Sequence, residues 1–346
     1  MLLNQDGTRR MTDQVEGQRE KHDEIGPVVR AFLWTLERAR QVTEMTELDE
    51  ESVTSFIMSG VSVCAPLVVK LVGSGDKDIA KECYWGSFKK SSGAKSPFSE
   101  TATGADFALV VGKPDGSVRL AIFQAKKASL LKRSGEERLD VRRDPAESAK
   151  GNTQLVMLMA YGLMIAKVAA KKRPTSECGS GATLEYASNL RKLWDAKSPT
   201  GYRSLKWVHY LAYKSQKFVC VPLSKMGEKV IDSEFAAAPK VNHVLAGDEQ
   251  DFFDLIKEGL TGSGQGWLKL DWDDLIKLLP TLVDLGAVYV VDENGERRLA
   301  YENFSENGVS NFVEKWQASE SSEERLNNWN SLIDSLTSPH RAASLG

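Results

Sequence analysis

Cysteine is scarce in this chain. Cys64, Cys83, Cys178 and Cys220 are scattered with no Cys-x-x-Cys pair, which argues against a zinc site or a disulfide framework and fits a reducing, cytoplasmic setting. Histidine is equally sparse, and His22, His209, His243 and His340 show no metal-ligand spacing. Long apolar runs are missing too. The longest, "LVMLMAYGLMIAKVAA" from Leu155, is cut by Lys167 and falls short of the ~20 residues a spanning helix needs, so it reads as a buried helix. The opening stretch "MLLNQDGTRRMTDQVEGQREKHDE" has no apolar core of a signal peptide, and residues 1–24 read as a mobile tail. "GSGDK" and "GSGQG" lack full phosphate-loop spacing, and no Gly-x-Ser-x-Gly elbow is present. A formal charge of -3 excludes a uniformly basic nucleic-acid binder while leaving room for local basic patches.

What the chain does have is a composition, 41% hydrophobic and 27% charged, that fits a soluble protein with a substantial core. Helical spacing of Val28, Val29, Phe32, Leu33 and Leu36 predicts a helix from about Ile25 to Gln41. A second follows "TELDEE", whose acids suit a helix N-terminus, with Val53, Phe56 and Ile57 on one face. "APLVVKLVG" is compatible with the end of that helix or with a short strand. "SSGAKSPFSETATG" reads as a loop. A hairpin, the apolar helix from Gln154, a helix near Leu184–Trp194, and two strands joined at Lys214–Lys217 complete an α/β core over residues 25–225. The rest, 226–346, reads as a mostly helical C-terminal region. It includes a hairpin around Glu293–Glu296 flanked by Arg297 and Arg298, a pattern shared by winged-helix modules and plain helix–hairpin appendages.

The hairpin "TGADFALVVGKPDGSVRLAIFQAKKA" carries polar residues where strands should be apolar: Asp106, Gln124 and Lys126. A two-residue turn at Asp115-Gly116 would put Asp106 opposite Ala125 and on the face away from Gln124, and would ask Pro114 for a strand hydrogen bond that it cannot donate. A three-residue loop fits better, with proline opening a type I turn and Gly116 supplying the left-handed residue that follows. Asp106 then faces Gln124, and Lys126 shares that face. An acid and an amide oxygen can hold Mg²⁺, which keeps several waters. The metal lowers the pKa of a bound water. A nearby ammonium can orient that water and offset developing negative charge. Phosphodiester hydrolysis needs those parts.

"GADF" followed after a hairpin turn by "IFQAK" resembles the PD-(D/E)XK nuclease superfamily, in the Mrr-like variant with glutamine before the lysine. The stretch "EESVT…SETATGADFALVV…LAIFQAKKA" is also similar to uncharacterised bacterial proteins with a Glu…Gly-Ala-Asp…Gln-Ala-Lys pattern. The likeness covers about residues 46–165. It implies a restriction-endonuclease-like α/β core with a mixed central sheet flanked by helices, and Mg²⁺ or Mn²⁺ as cofactor. It further implies double-stranded DNA as partner and a role in restriction or antiphage defence. Asp106 would bind the metal, Gln124 would stand where an acid is usual, and Lys126 would be catalytic. Because the glutamine removes a charge, another acid is expected to compensate. On the helix before the sheet, a turn of 100° per residue places Glu50 on the side of Val53, Phe56 and Ile57, whereas the likeness points to Glu51 as the catalytic glutamate. Glu100 is the other candidate for the metal. A related branch of nucleases uses a Gln and a Tyr on the next helix, matched in order by Gln154 and Tyr161, although core packing also accounts for Tyr161. The basic run after the motif, with Lys127, Lys132 and Arg133 and then Arg138, Arg142 and Arg143, suits phosphate contacts. Glu136, Glu137 and Asp140 in the same stretch suit a solvated loop. The C-terminal region is left to select substrate, make homo-oligomer contacts or bind a regulatory partner.

Overall fold

The computed structural model describes residues 27–45, 48–72, 82–88, 99–113, 115–131, 134–142, 150–170, 181–214, 217–235, 241–278, 281–282, 285–292, 297–300, 318 and 324. The expected tail at 1–24, Lys132, Arg133, Arg143 and the turn at 293–296 lie outside these residues. The chain enters through α1 (Pro27–Met45) and α2 (Glu50–Val72), so "APLVVKLV" is helical. Strand β1 (Glu82–Phe88) and a one-turn helix α3 (Glu100–Thr103) lead to the hairpin β2 (Phe107–Gly112) and β3 (Ser117–Lys127). Two short strands, β4 (Ser129–Leu130) and β5 (Glu137–Leu139), precede α4 (Gln154–Ala169) and α5 (Ala182–Asp195). Next come β6 (Val208–Tyr213), β7 (Phe218–Pro222) and α6 (Glu228–Phe235). The last segment holds β8 (His243–Val244), β9 (Gln250–Asp251), α7 (Phe252–Leu260), β10 (Leu268–Asp271), α8 (Trp272–Leu278), β11 (Leu285–Asp292) and β12 (Arg297–Ala300).

The expected α/β architecture is present. One mixed sheet runs β12-β11-β1-β2-β3-β6-β7-β9, with β10 paired to the first half of β3. Its β3–β6 ladder is parallel, and its other ladders are antiparallel. A parallel pair needs a long crossover. Here α4 and α5 supply it, laid over one face of the sheet together with α6 and α8. The other face is covered by α1, α2 and α7. The middle of β3 is apolar on both sides: Leu120 and Ile122 face α4, while Ala121, Phe123 and Ala125 face α2. On the α2 side Trp85, Phe107, Phe123 and His209 stack ring on ring across four adjacent strands. Burial there pushes the His209 imidazole down to about 4, so it is neutral and structural, with Nε2 bonded to Gly266 O at 2.8 Å. The hairpin around 293–296 is seen as β11 and β12, and β11 pairs with β1, making it the edge of the main sheet. Strands from the C-terminal segment thus complete the same sheet. Among the described residues no helix is long and apolar enough to cross a membrane.

Candidate active site at the end of β3

The β2–β3 turn decides what meets at this end. Phe107 pairs with Phe123 and Gly112 with Val118, the register of a three-residue loop. Lys113 O accepts from Gly116 N at 3.0 Å, and Gly116 takes φ +78, the left-handed conformation expected of it, while Pro114 lies outside the described residues. Asp115 accepts from the Ser117 amide and hydroxyl, fixing the loop. One step beyond Phe107↔Phe123 sets Asp106 against Gln124. Alternation then puts Asp106, Gln124 and Lys126 on the α4 face. Because α4 begins the crossover from the same end, its first residue, Gln154, arrives there too.

The contacts follow. Gln124 Nε2 donates to Asp106 Oδ2 at 2.6 Å, and the Ala125 amide donates to the same oxygen at 2.7 Å. Among the described residues no other hydrogen bond falls on the Asp106 carboxylate. Gln154 Nε2 donates to Gln124 Oε1 at 2.8 Å, while Gln154 Oε1 is buried without a hydrogen-bond partner among the described residues. An unmet buried acceptor costs roughly 1–3 kcal/mol. Lys126 Nζ lies 3.5 Å from Glu50 Oε2, and Glu50 Oε1 accepts from the Lys127 amide at 2.9 Å. Glu50 is delivered by the start of α2. Asp49 caps that helix through the Ser52 amide at 2.7 Å, and Thr54 bonds the Tyr213 hydroxyl of β6 at 2.7 Å.

Electrostatics mark Asp106 out. Desolvation, and next the negative charge of Glu100, push its carboxyl from 3.8 up to about 7, against the opposing pull of the Ala125 amide, Lys126 and Gln124. Asp106 is only partly covered, yet it is crowded enough by protein for desolvation to dominate. Burial first and the Glu100 charge second thus favour the protonated form. Glu100 is itself buried and comes from α3, a single turn ended by Gly104. Gly104 has φ +72, and a Cβ there would stand 2.5 Å from Gln154 O. The "GAD" motif therefore lets the Glu100 turn, Asp106 and the head of α4 crowd together. Gly104→Ala is expected to lower the unfolding free energy by about 3 kcal/mol in urea melts, left-handed strain and the backbone clash both contributing.

Some expectations are redistributed. On α2 it is Glu50 that reaches the lysine; Glu51, one residue and 100° further round the helix, is exposed, and among the described residues no ion pair joins it to Lys126. Glu50 is engaged by Lys126 and Lys127, whereas Glu100 is the acid whose charge acts on Asp106. Gln154, weighed together with Tyr161, joins the site. Tyr161 belongs to the core, fully buried, donating to Thr281 O at 2.7 Å and edge-on to Phe88. Lys127 is exposed beside the site, and Arg138 is paired with Glu136 at 2.8 Å. Among the described residues no group of three His, Cys, Asp or Glu side chains is placed to cage a metal. Two carboxylates and an amide are not a zinc set. They do suit Mg²⁺, which accepts one or two carboxylates and keeps its waters. Comparison with protein-family models, curated proteins and solved structures gives no match.

Proposed function

We propose that the protein is a metal-dependent phosphodiester hydrolase, an endonuclease on double-stranded DNA, with Mg²⁺ or Mn²⁺ held by Asp106, Glu100 and the Gln124 oxygen. One arrangement supports this reading: an acid tied down through a single oxygen, an amide and a lysine share a face at the carboxyl end of β3 and β6. Open α/β sheets bind ligands outside such strand ends. A divalent cation, when bound, lowers the pKa of a water and offsets charge on a phosphoryl oxygen. Lys126, tethered by Glu50, orients the attacking water and balances charge that builds on the phosphate. The water oxygen bonds to phosphorus and keeps one hydrogen. The bond from phosphorus to the sugar oxygen breaks, and that oxygen takes the other hydrogen. Lys127 contacts phosphate beside the scissile bond, and Lys132 and Arg133 follow it in the chain. A role in restriction or antiphage defence belongs to the same proposal.

A non-catalytic binding module is the second reading, favoured by one observation: Gln124 turns its nitrogen, not its oxygen, to Asp106. Plasmid DNA incubated with the protein and Mg²⁺ separates the two. The nuclease reading expects nicking or linearisation that disappears in Asp106→Ala and Lys126→Ala. Cleavage retained in both variants removes this site, and no cleavage of DNA or RNA with any divalent metal favours the binding module.

A further inference from the structure

The amide–carboxylate chain at the mouth runs in one direction, from Gln154 Nε2 to Gln124 Oε1 and from Gln124 Nε2 to Asp106 Oδ2. It begins badly. Gln154 Oε1 is buried with no donor among the described residues, in an interior where nearly all such oxygens are met. A primary amide has a donor end and an acceptor end, so half a turn about its last bond exchanges the two. Turning both amides would let Gln124 Nε2 donate to Gln154 Oε1, and would put Gln154 Nε2 in the buried position the oxygen had held, so the two states exchange one unmet Gln154 atom for the other. It would also point Gln124 Oε1 at Asp106. With Asp106 ionised, two oxygens aimed at each other repel unless a cation stands between them, and the turned amide would also give up the bond from Gln124 Nε2 to Ala125 O at 3.1 Å.

We infer that Gln124 and Gln154 form a two-position amide latch: without a cation it turns nitrogen to Asp106, and with one it turns oxygen there. Gln154 is its positioning residue, offering an N–H in the first state and an oxygen in the second. This rests on the cation-site reading above and goes beyond it. It explains how a site with glutamine at position 124 holds Asp106 in place while empty and gains a ligand when filled. The acid usual at that position would repel Asp106 in the empty site.

The test is a double-substitution cycle read as Mn²⁺ affinity, measured on the full chain without nucleic acid by the resonance signal of free Mn²⁺. Gln154→Glu can only accept when ionised, and an acid is welcome at the first position of a helix. It therefore holds Gln124 in the turned state. In the otherwise native chain it is expected to tighten Mn²⁺ binding at least tenfold. In a Gln124→Met background, with no amide to turn, only the added charge acts, and the gain is expected to stay under about threefold. Binding in Gln124→Met alone that is weakened at least tenfold yet still measurable, with its melting temperature kept, puts the Gln124 oxygen on the ion and supports the latch. Equal gains in the two backgrounds overturn the latch and leave the cation site standing. If the native chain binds no Mn²⁺, both fall.

Discussion

Asp106→Asn is expected to make the metal-free protein more stable at pH 8 while abolishing cleavage. The two effects share one cause. The folded chain holds the Asp106 proton up to about pH 7, whereas the unfolded chain releases it near 3.8. Below pH 4 both states are protonated and the site costs nothing. As pH rises from about 4 to 7 the folded state binds the extra proton, so stability falls, and above 7 the cost of a desolvated carboxylate beside Glu100 is fully present. Partial exposure of Asp106 trims that cost to about 2 kcal/mol. Asparagine is neutral and keeps an oxygen for the Ala125 and Gln124 donors. Urea melts in EDTA should show the variant ahead by about 2 kcal/mol at pH 8 and level near pH 4. Cleavage should drop at least ~10³-fold, since a neutral oxygen is a poor Mg²⁺ ligand. A variant that is destabilised at pH 8, or that still cleaves, contradicts the assignment.

Lys126→Met separates catalysis from cation holding. Its ammonium is largely buried at the end of β3 and paired with a half-exposed Glu50. Loss of a group that stabilises charge only as the phosphate reacts is expected to lower cleavage by roughly 10²–10³-fold. Cation affinity is expected to hold or rise, because a positive charge leaves the neighbourhood of the ion. Stability should change by less than about 1 kcal/mol, the range for a solvent-reached ion pair. Single-turnover cleavage, Mn²⁺ binding and melting curves together check this. Equal losses of binding and cleavage would make Lys126 a structural support for the site and remove it from the chemistry.

Much of the site could be read from local chemistry. Pro114 and Gly116 define a loop length, loop length defines register, and register brings Asp106 to Gln124; no distant contact enters that chain of reasoning. Helix arithmetic from Val53 and Ile57 likewise gives Glu50, where similarity of sequence points one residue further on. β1 is different. Cys83 and Trp85 pack on the α2 side and Tyr84 and Phe88 on the α4 side, so "ECYWGSF" shows no alternation of apolar and polar residues to mark it as a strand. β9 and β10 are two and four residues long, too short to carry a period, and exist because β7 and β3 offer free edges. The direction in which the Gln124 amide points is set by Asp106 and Gln154, from separate parts of the chain, as well as by the Ala125 carbonyl next to it, and the strand pattern does not record it.

Anomalous scattering from crystals soaked in Mn²⁺ at pH 8 tests the central claim most directly. A single strong peak bonded to Asp106, within reach of Glu100 and Gln124 and absent in Asp106→Asn, is the predicted result. Manganese bound elsewhere, or a map with no peak at Asp106 under saturating Mn²⁺, contradicts it.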